Sequence, residues 1–297
     1  MITRVIAVEY VRPMRGGSQS HLLRCSDGEY YVVKFQNNPQ GARTLVNEML
    51  GGALATRMGL PTPETAIVEV SEPLIQHSEE CVIQFGRELI PCTPGQCFGS
   101  RLPSQAGPYG SRVMMAAHGF LPDFPPREVT NAADFVGMLV FDKWTGNMDW
   151  RQVIFVPDVA TQNYRIVMID NGFCFNGREW NFPYAPKCGL AARPSAYGAV
   201  QGIESFEPWL QILENVTGNH LLDQLADDIP HEWYGFDVKA LRHLLQEMEY
   251  RRRSVLGALW TTRSESPKCF PNWSLYTPRQ HRRARPPARL RARAAGA

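Results

Sequence analysis

Apolar and polar positions alternate differently along the chain, with a strand-like period early and a helical one later. Val5 to Val11 is apolar and β-branched, as a first strand requires. The small, polar stretch Arg15-Gly16-Gly17-Ser18-Gln19-Ser20 then reads as a turn. His21–Cys25 and Tyr30–Phe35 are two more strand-like runs, joined at Asp27-Gly28, a pair suited to a hairpin. Three antiparallel strands are therefore predicted within the first 35 residues. From Gln40 to Met58 the period becomes helical: Leu45, Met49, Leu50 and Leu54 share a face, and Gly59 and Pro61 supply the stop. Ala66–Val70 and Cys81–Phe85 read as further strands, whereas residues 91–130 are rich in Pro and Gly and predict irregular structure. Asn131–Trp144 is a second helix, with Asn131 or Asp134 as its cap and Phe135, Met138, Leu139 and Phe141 on its apolar side.

Gln152–Val156 and Tyr164–Ile169 flank Pro157-Asp158 and predict a second hairpin. Beyond Asn176 the pattern is mainly helical, over Phe206–Val216, Leu221–Leu225 and Val238–Arg253. The last of these sets Leu241, Leu244, Leu245, Met248 and Leu256 on one face. The expectation is an α+β protein of two lobes. An antiparallel sheet plus one helix fills about residues 1–90, and a mainly helical lobe follows over about 91–262. After Thr262 the chain turns polar and rich in Pro and Arg, so residues 263–297 read as a disordered basic tail.

Composition sharpens this division. Lys and Arg number 31 against 29 Asp and Glu, a net charge of +2, but seven of the arginines lie in residues 278–297 with no acid among them. Set aside, they leave residues 1–277 at −5, so the body is mildly acidic and not a dedicated nucleic-acid binder. The tail would at most hold an anionic partner weakly, in a salt-sensitive way. No apolar run approaches the roughly 20 residues of a membrane span, and the N-terminus lacks a signal-peptide pattern. Seven cysteines, an odd number without C-x-x-C spacing, read as reduced thiols of a cytoplasmic protein, not as a disulfide framework or zinc site. No H-x-x-x-H pair and no G-x-S-x-G is present, which disfavours metal hydrolases and serine esterases.

Five fragments carry chemistry, in an order that suits transfer of the γ-phosphoryl of ATP. Gly16, Gly17, Ser18 and Ser20, followed by His21, offer a flexible loop whose N–H groups can approach phosphate oxygens; a plain hairpin turn would use the same residues. Lys34, inside Val32-Val33-Lys34-Phe35, is either an edge-strand gatekeeper or a phosphate-binding cation. Glu48, 14 residues on, falls in the next helix as the lysine's candidate partner. In Asp142-Lys143-Trp144-Thr145-Gly146-Asn147-Met148-Asp149 a helix ends in a Gly-Asn turn. Asp149 then stands where a carboxylate can orient a substrate hydroxyl, and Gln152 can offer an amide oxygen to Mg2+ or phosphate. Ile166-Val167-Met168-Ile169 delivers Asp170 into an Asn171-Gly172 turn, 21 residues after Asp149, as a candidate metal ligand.

This ordered set resembles the HipA-like kinase family and, more distantly, is similar to type II phosphatidylinositol 4-kinases. Phe98-Gly99-Ser100-Arg101 and Ile229-Pro230-His231-Glu232-Trp233-Tyr234 also resemble family segments, so the likeness runs from about residue 4 to about residue 255. It implies a protein-kinase-like bilobal fold and an ATP- and Mg2+-dependent phosphotransferase acting on a hydroxyl, with Ser or Thr of a protein as the expected acceptor. On the resemblance, Lys34 binds phosphate, Asp149 is the catalytic aspartate, Asp170 holds the metal and Glu48 partners the lysine. Two departures keep an inactive or weak nucleotide-binding module open as the alternative. Trp150 stands where a basic residue often follows the aspartate, with Arg151 only coming next, and Gln152 is the nearest substitute for the usual second metal-binding asparagine.

Overall fold

The computed structural model describes residues 2–106, 112–114, 129–158, 163–192, 194–216 and 221–274. Strand β1 (Thr3–Pro13) pairs antiparallel with β2 (His21–Cys25), and β2 pairs antiparallel with β3 (Tyr30–Lys34). Between β2 and β3, Gly28 takes φ +82° and the Asp27 carboxylate accepts from the Glu29 N–H at 3.0 Å and the Tyr31 hydroxyl at 2.8 Å. The Asp-Gly turn thus forms as its sequence predicts, with the aspartate bonding its own backbone neighbour.

Two further strands, β4 (Thr65–Val70) and β7 (Gly95–Arg101), turn this meander into a closed five-stranded barrel, in the order β1-β2-β3-β7-β4. Strand β4 (Thr65–Val70) returns to β1 and pairs parallel with it, Thr3 opposite Ala66 and Ile6 opposite Glu69. Strand β7 (Gly95–Arg101) lies between β3 and β4, antiparallel to both. This corrects the expectation of irregular structure from residue 91, and it moves the lobe boundary from about 90 to beyond Arg101. The glycines that disguise β7 have a packing reason. A Cβ at Gly99 would come within 2.4 Å of the Val68 side chain and 3.2 Å of the Tyr31 ring. Val5, Leu23, Val33, Phe35, Val68 and Cys97 fill the barrel. Between β4 and β7 the chain makes a short helix α2 (Glu72–Gln76) and a two-stranded hairpin, β5 (Val82–Phe85) with β6 (Glu88–Pro91).

Helix α1 (Arg43–Arg57) joins the lobes, because nearly all of its first three turns is buried. Leu45, Met49, Leu50 and Leu54 join one core cluster with Phe98 of β7 and with Phe141 and Trp144 of the second lobe. Gly51 permits the approach: a Cβ there would stand 2.7 Å from that of Asn171.

After β7, β8 (Ser104–Ala106) and β9 (Arg112–Met114) pair antiparallel. The second lobe comprises α3 (Asp134–Thr145), a hairpin of β10 (Gln152–Asp158) and β11 (Asn163–Ile169), and the helices α4 (Glu207–Val216), α5 (Leu221–Asp227), α6 (Val238–Arg251) and α7 (Val255–Glu265). Neither expected residue caps α3. Ala133 occupies the cap without a side-chain bond, and Asn131 instead donates to the Asp134 carboxylate at 2.8 Å and the Ile166 carbonyl at 3.0 Å. The asparagine therefore ties α3 to β11. Leu241, Leu244, Leu245 and Met248 are buried as the period predicts, but Leu256 belongs to α7 and is 47% exposed.

The boundary expected at 262 falls inside α7. Past it, Phe270 and Trp273 are buried, with Phe270 stacked on Tyr197 at 5.1 Å between centroids. At about 25 cal/mol per Å2 and roughly 150–250 Å2 per aromatic ring system, each contributes several kcal/mol to packing, so the body continues to Trp273. Residues 275–297, with all seven tail arginines, and most of 107–128 lie outside the described residues. No described helix is long and apolar enough to cross a membrane.

Candidate active site

Alternation along β3 sends Val33 and Phe35 into the barrel and Lys34 out of it, toward α1 and the second lobe. There the Lys34 Nζ donates to Glu48 Oε1 at 2.5 Å and to Asp170 Oδ1 at 3.0 Å. The second Glu48 oxygen accepts from the Asn171 N–H at 2.9 Å. Side-chain exposure is 9% for Lys34 and 4% for Glu48 but 25% for Asp170, so Asp170 is the carboxylate that opens to the cleft. Burial alone would lower the lysine's pKa, but Glu48 and Asp170 outweigh it and hold the ammonium above its ordinary value. Burial raises Glu48, whereas in Asp170 the same penalty is outweighed by Lys34, which keeps that carboxyl below its usual range.

Asp170 follows β11 with φ +61°, a left-handed conformation that turns its carboxylate toward Lys34. The turn is braced from α1 by Asn47, which is wholly buried. Its Nδ2 donates to the carbonyls of Gly172, Cys174 and Gly177 at 2.8–3.0 Å, and its Oδ1 accepts from Trp180 Nε1 at 2.8 Å. Adjacent residues of one helix thus hold the turn: Asn47 its backbone and Glu48 its Asn171 N–H.

Helix α3 ends at Gly146, φ +62°, and Arg251 of α6 satisfies its last carbonyls, donating to Lys143 O at 2.8 Å and Trp144 O at 2.9 Å. The chain then turns through Asn147, whose Nδ2 donates to Asp142 Oδ1 at 3.0 Å and whose Oδ1 accepts from the Asp149 N–H at 3.1 Å. Asp149 Oδ1 accepts from the Trp150 N–H at 2.7 Å, and Gln152 Nε2 donates to Asp149 Oδ2 at 3.3 Å. That contact leaves the Gln152 amide oxygen for another partner. Trp150 itself is 55% exposed.

Arg151, read from the sequence only as a basic residue displaced by one position, is buried with Asp142; both side chains are fully shielded. Its guanidinium grips both Asp142 oxygens and also donates to the Ile169 carbonyl at 2.8 Å, the Asp170 carbonyl at 3.3 Å and Asn171 Oδ1 at 3.2 Å. It therefore fastens α3, the Asp149 loop and the Asp170 turn together instead of facing the cleft. Sequence reasoning missed this role and that of Asn47. The signal available was an asparagine and an aspartate inside otherwise apolar helices and an arginine just ahead of an apolar strand.

Gly16, φ +130°, and Gln19, φ +48°, shape the loop after β1, closed by a Met14 N–H to Ser20 carbonyl bond of 2.8 Å. Ser18 and Ser20 are buried against the cleft, and His21 is a buried strand residue. Gly16, Gly17, Ser18, Ser20, Lys34, Glu48, Asp149, Gln152 and Asp170 all line one cleft of about 420 Å3. Val32, Pro63, Phe98, Leu102, Ile154 and Ile169 form its apolar part. The cleft thus combines apolar walls with a few charged and polar groups, as small-molecule sites do. Gln40 also lines it, and its Oε1 is buried without a hydrogen-bond partner among the described residues. A buried acceptor in this state fits a site whose polar partner arrives with a ligand. The hard oxygens of Asp170 and Gln152 are of the type that binds Mg2+.

A family model described as HipA-like kinase matches residues 7–178. No curated protein matches the chain. Among solved structures, the Helicobacter pylori proinflammatory kinase CtkA is similar with a TM-score of 0.52 and 14% identity, covering 90% of this chain and 99% of that one. Hydra Fam20, determined with sugar, gives a TM-score of 0.49 at 12% identity over 89% and 86% of the two chains. HipA of Shewanella oneidensis MR-1, from a complex with HipB and operator DNA, gives 0.39 at 10% identity over 86% and 65%.

Proposed function

The chain belongs to the HipA-like kinase family, and from that premise we propose that it transfers the γ-phosphoryl of ATP, with Mg2+, to a hydroxyl of a protein Ser or Thr. The observation that carries this reading is the Lys34–Glu48–Asp170 ion cluster, facing Asp149 across one cleft. Mg-ATP, when bound, supplies the electrophilic phosphorus and the cation that neutralises its oxygens. Lys34, pinned by Glu48, is poised to hold phosphate oxygens; Asp170 and Gln152 would hold the cation; and the Gly16–Ser20 loop would cover the phosphates. Asp149, its Oδ2 oriented by Gln152, would accept the hydrogen bond of the acceptor hydroxyl and align it for attack.

The test is transfer from γ-labelled ATP to lysate proteins by the wild type, Asp149→Ala and Asp170→Ala. Signal from the wild type alone supports the assignment, and equal signal from all three rejects it. The exposed Trp150 and the glutamine at 152 favour a second reading, a nucleotide-binding module with little turnover. ATP-dependent thermal stabilisation without any transfer would support that reading.

A further inference from the structure

The hairpin β5–β6 hangs outside the barrel yet is joined to the glycine-rich loop. Gln19 presents its side-chain amide to the backbone of Gln84, donating to the carbonyl at 2.9 Å and accepting from the N–H at 2.7 Å. At the hairpin's open end, just outside the register pair Val82–Pro91, stand Cys81 and Cys92. The Cys92 N–H donates to the Cys81 carbonyl at 3.0 Å, and each thiol shifts the ionisation of the other. Directly opposed antiparallel residues have Cα atoms about 4.5–5.5 Å apart, inside the roughly 4.4–6.8 Å that a disulfide spans. His21 completes the group, with Nε2 3.5 Å from Cys92 Sγ. We propose that Cys81 and Cys92 form an oxidisable dithiol that closes to a disulfide when the protein meets a peroxide.

The steps follow from which thiol ionises first. The Cys81 thiol is held below its ordinary pKa by Cys92, while Cys81 and burial push Cys92 up. Cys81 is therefore the first nucleophile. Its sulfur attacks the O–O bond of hydrogen peroxide and becomes a sulfenic acid, and its proton leaves with the displaced hydroxide as water. Cys92, giving its proton to His21 Nε2, then attacks the sulfenic sulfur, forming the S–S bond. The hydroxide displaced takes that proton back as a second water. One peroxide is reduced by two electrons and two thiols are oxidised.

Both cysteines are buried, but Glu80 and Thr93 beside them are exposed, so the pair lies one residue below the surface. Cys97, buried on β7, is the neighbouring thiol that could compete. The remaining thiols lack this combination of an opposed partner and an imidazole.

The test uses the reduced full-length chain, treated with hydrogen peroxide, alkylated and digested with trypsin without reductant. Cleavage after Arg57, Arg87 and Arg101 places Cys81 in fragment 58–87 and Cys92 with Cys97 in fragment 88–101. The expected product is a linked pair of these fragments, lighter by two hydrogens than their sum and released by dithiothreitol. Tandem mass spectrometry of the wild type should place the bridge on Cys92. The link should persist in Cys97→Ala and vanish in Cys92→Ala. Peroxide that yields only alkylated or sulfinic cysteines, or a bridge on Cys97, overturns the proposal.

Discussion

Replacing Asp142 by alanine removes the carboxylate that Arg151 grips with two nitrogens inside the second lobe. Neither side chain has any exposed surface, so water cannot take the carboxylate's place. Breaking a buried ion pair by deleting one partner costs about 3–5 kcal/mol, because the remaining charge is uncompensated. Asn147 Nδ2 also loses its acceptor, which adds about 1 kcal/mol. The expected loss is therefore about 4–6 kcal/mol. At roughly 2–4 °C per kcal/mol for a chain of this order, the melting temperature should fall by about 8–24 °C. Urea unfolding followed by tryptophan fluorescence would measure it, since Trp144 lies on the same helix. Arg151→Met should cost a similar amount, and the double variant should fall several kcal/mol short of the sum, because it buries no unpaired charge. A single-variant loss below about 1 kcal/mol, or additive losses in the double variant, would refute the claim that this pair holds the Asp149 and Asp170 segments together.

Three further outcomes follow from the cleft. Asp149→Asn should lower phosphoryl transfer by about 10²–10⁴-fold while leaving nucleotide affinity within a few-fold; an equal loss of binding would show that Asp149 contacts the nucleotide instead. Asp170 sits below the ordinary carboxylate range beside Lys34, so its stabilising contribution is full at neutral pH and is lost as the pH falls through its lowered folded value. The stability gap between wild type and Asp170→Asn should accordingly shrink between pH 7 and pH 3 in denaturant titrations, and a constant gap contradicts the assignment. Gln19→Ala removes two hydrogen bonds to the hairpin, each worth about 0.5–1.5 kcal/mol, so fluorescent ATP-analogue affinity should weaken by roughly 5- to 140-fold if the loop's position governs binding. Unchanged affinity would show that the clamp is incidental.

Local pattern carried much of this structure. The Asp27-Gly28 hairpin, α1, α3 and the β10–β11 hairpin form where apolar spacing and turn residues place them, because those signals act over a few neighbours. The nine residues chosen from motif chemistry do share one cleft. What was illegible depended on distant partners. Strand β7 is written in glycine because Val68 and Tyr31 crowd it, and the sequence alone cannot show that crowding. Asn131 resembles a helix cap but spends its amide on β11. Arg151 resembles a displaced cation of the site but is neutralised by a residue nine positions earlier, on a helix face whose burial no period reveals. Phe270 and Trp273 were obscured by the polar residues around them.

The parallel closure of the barrel also bears on how the chain is made. β1 finds β2 within the first 25 residues, but its other edge waits for β4, and β3 and β4 both wait for β7, which ends at Arg101. At about 5–20 residues per second, a ribosome needs roughly 4–15 s to pass from Cys25 to Arg101. Within that interval β1 keeps an unpaired edge until β4 is complete at Val70, and β3 keeps one to the end, each open to pairing with another nascent chain. The edge of β3, which waits for the last strand of the barrel, is thus exposed longest, and slowing translation between the codons of Lys34 and Arg101 should lower soluble yield more than slowing it after Arg101.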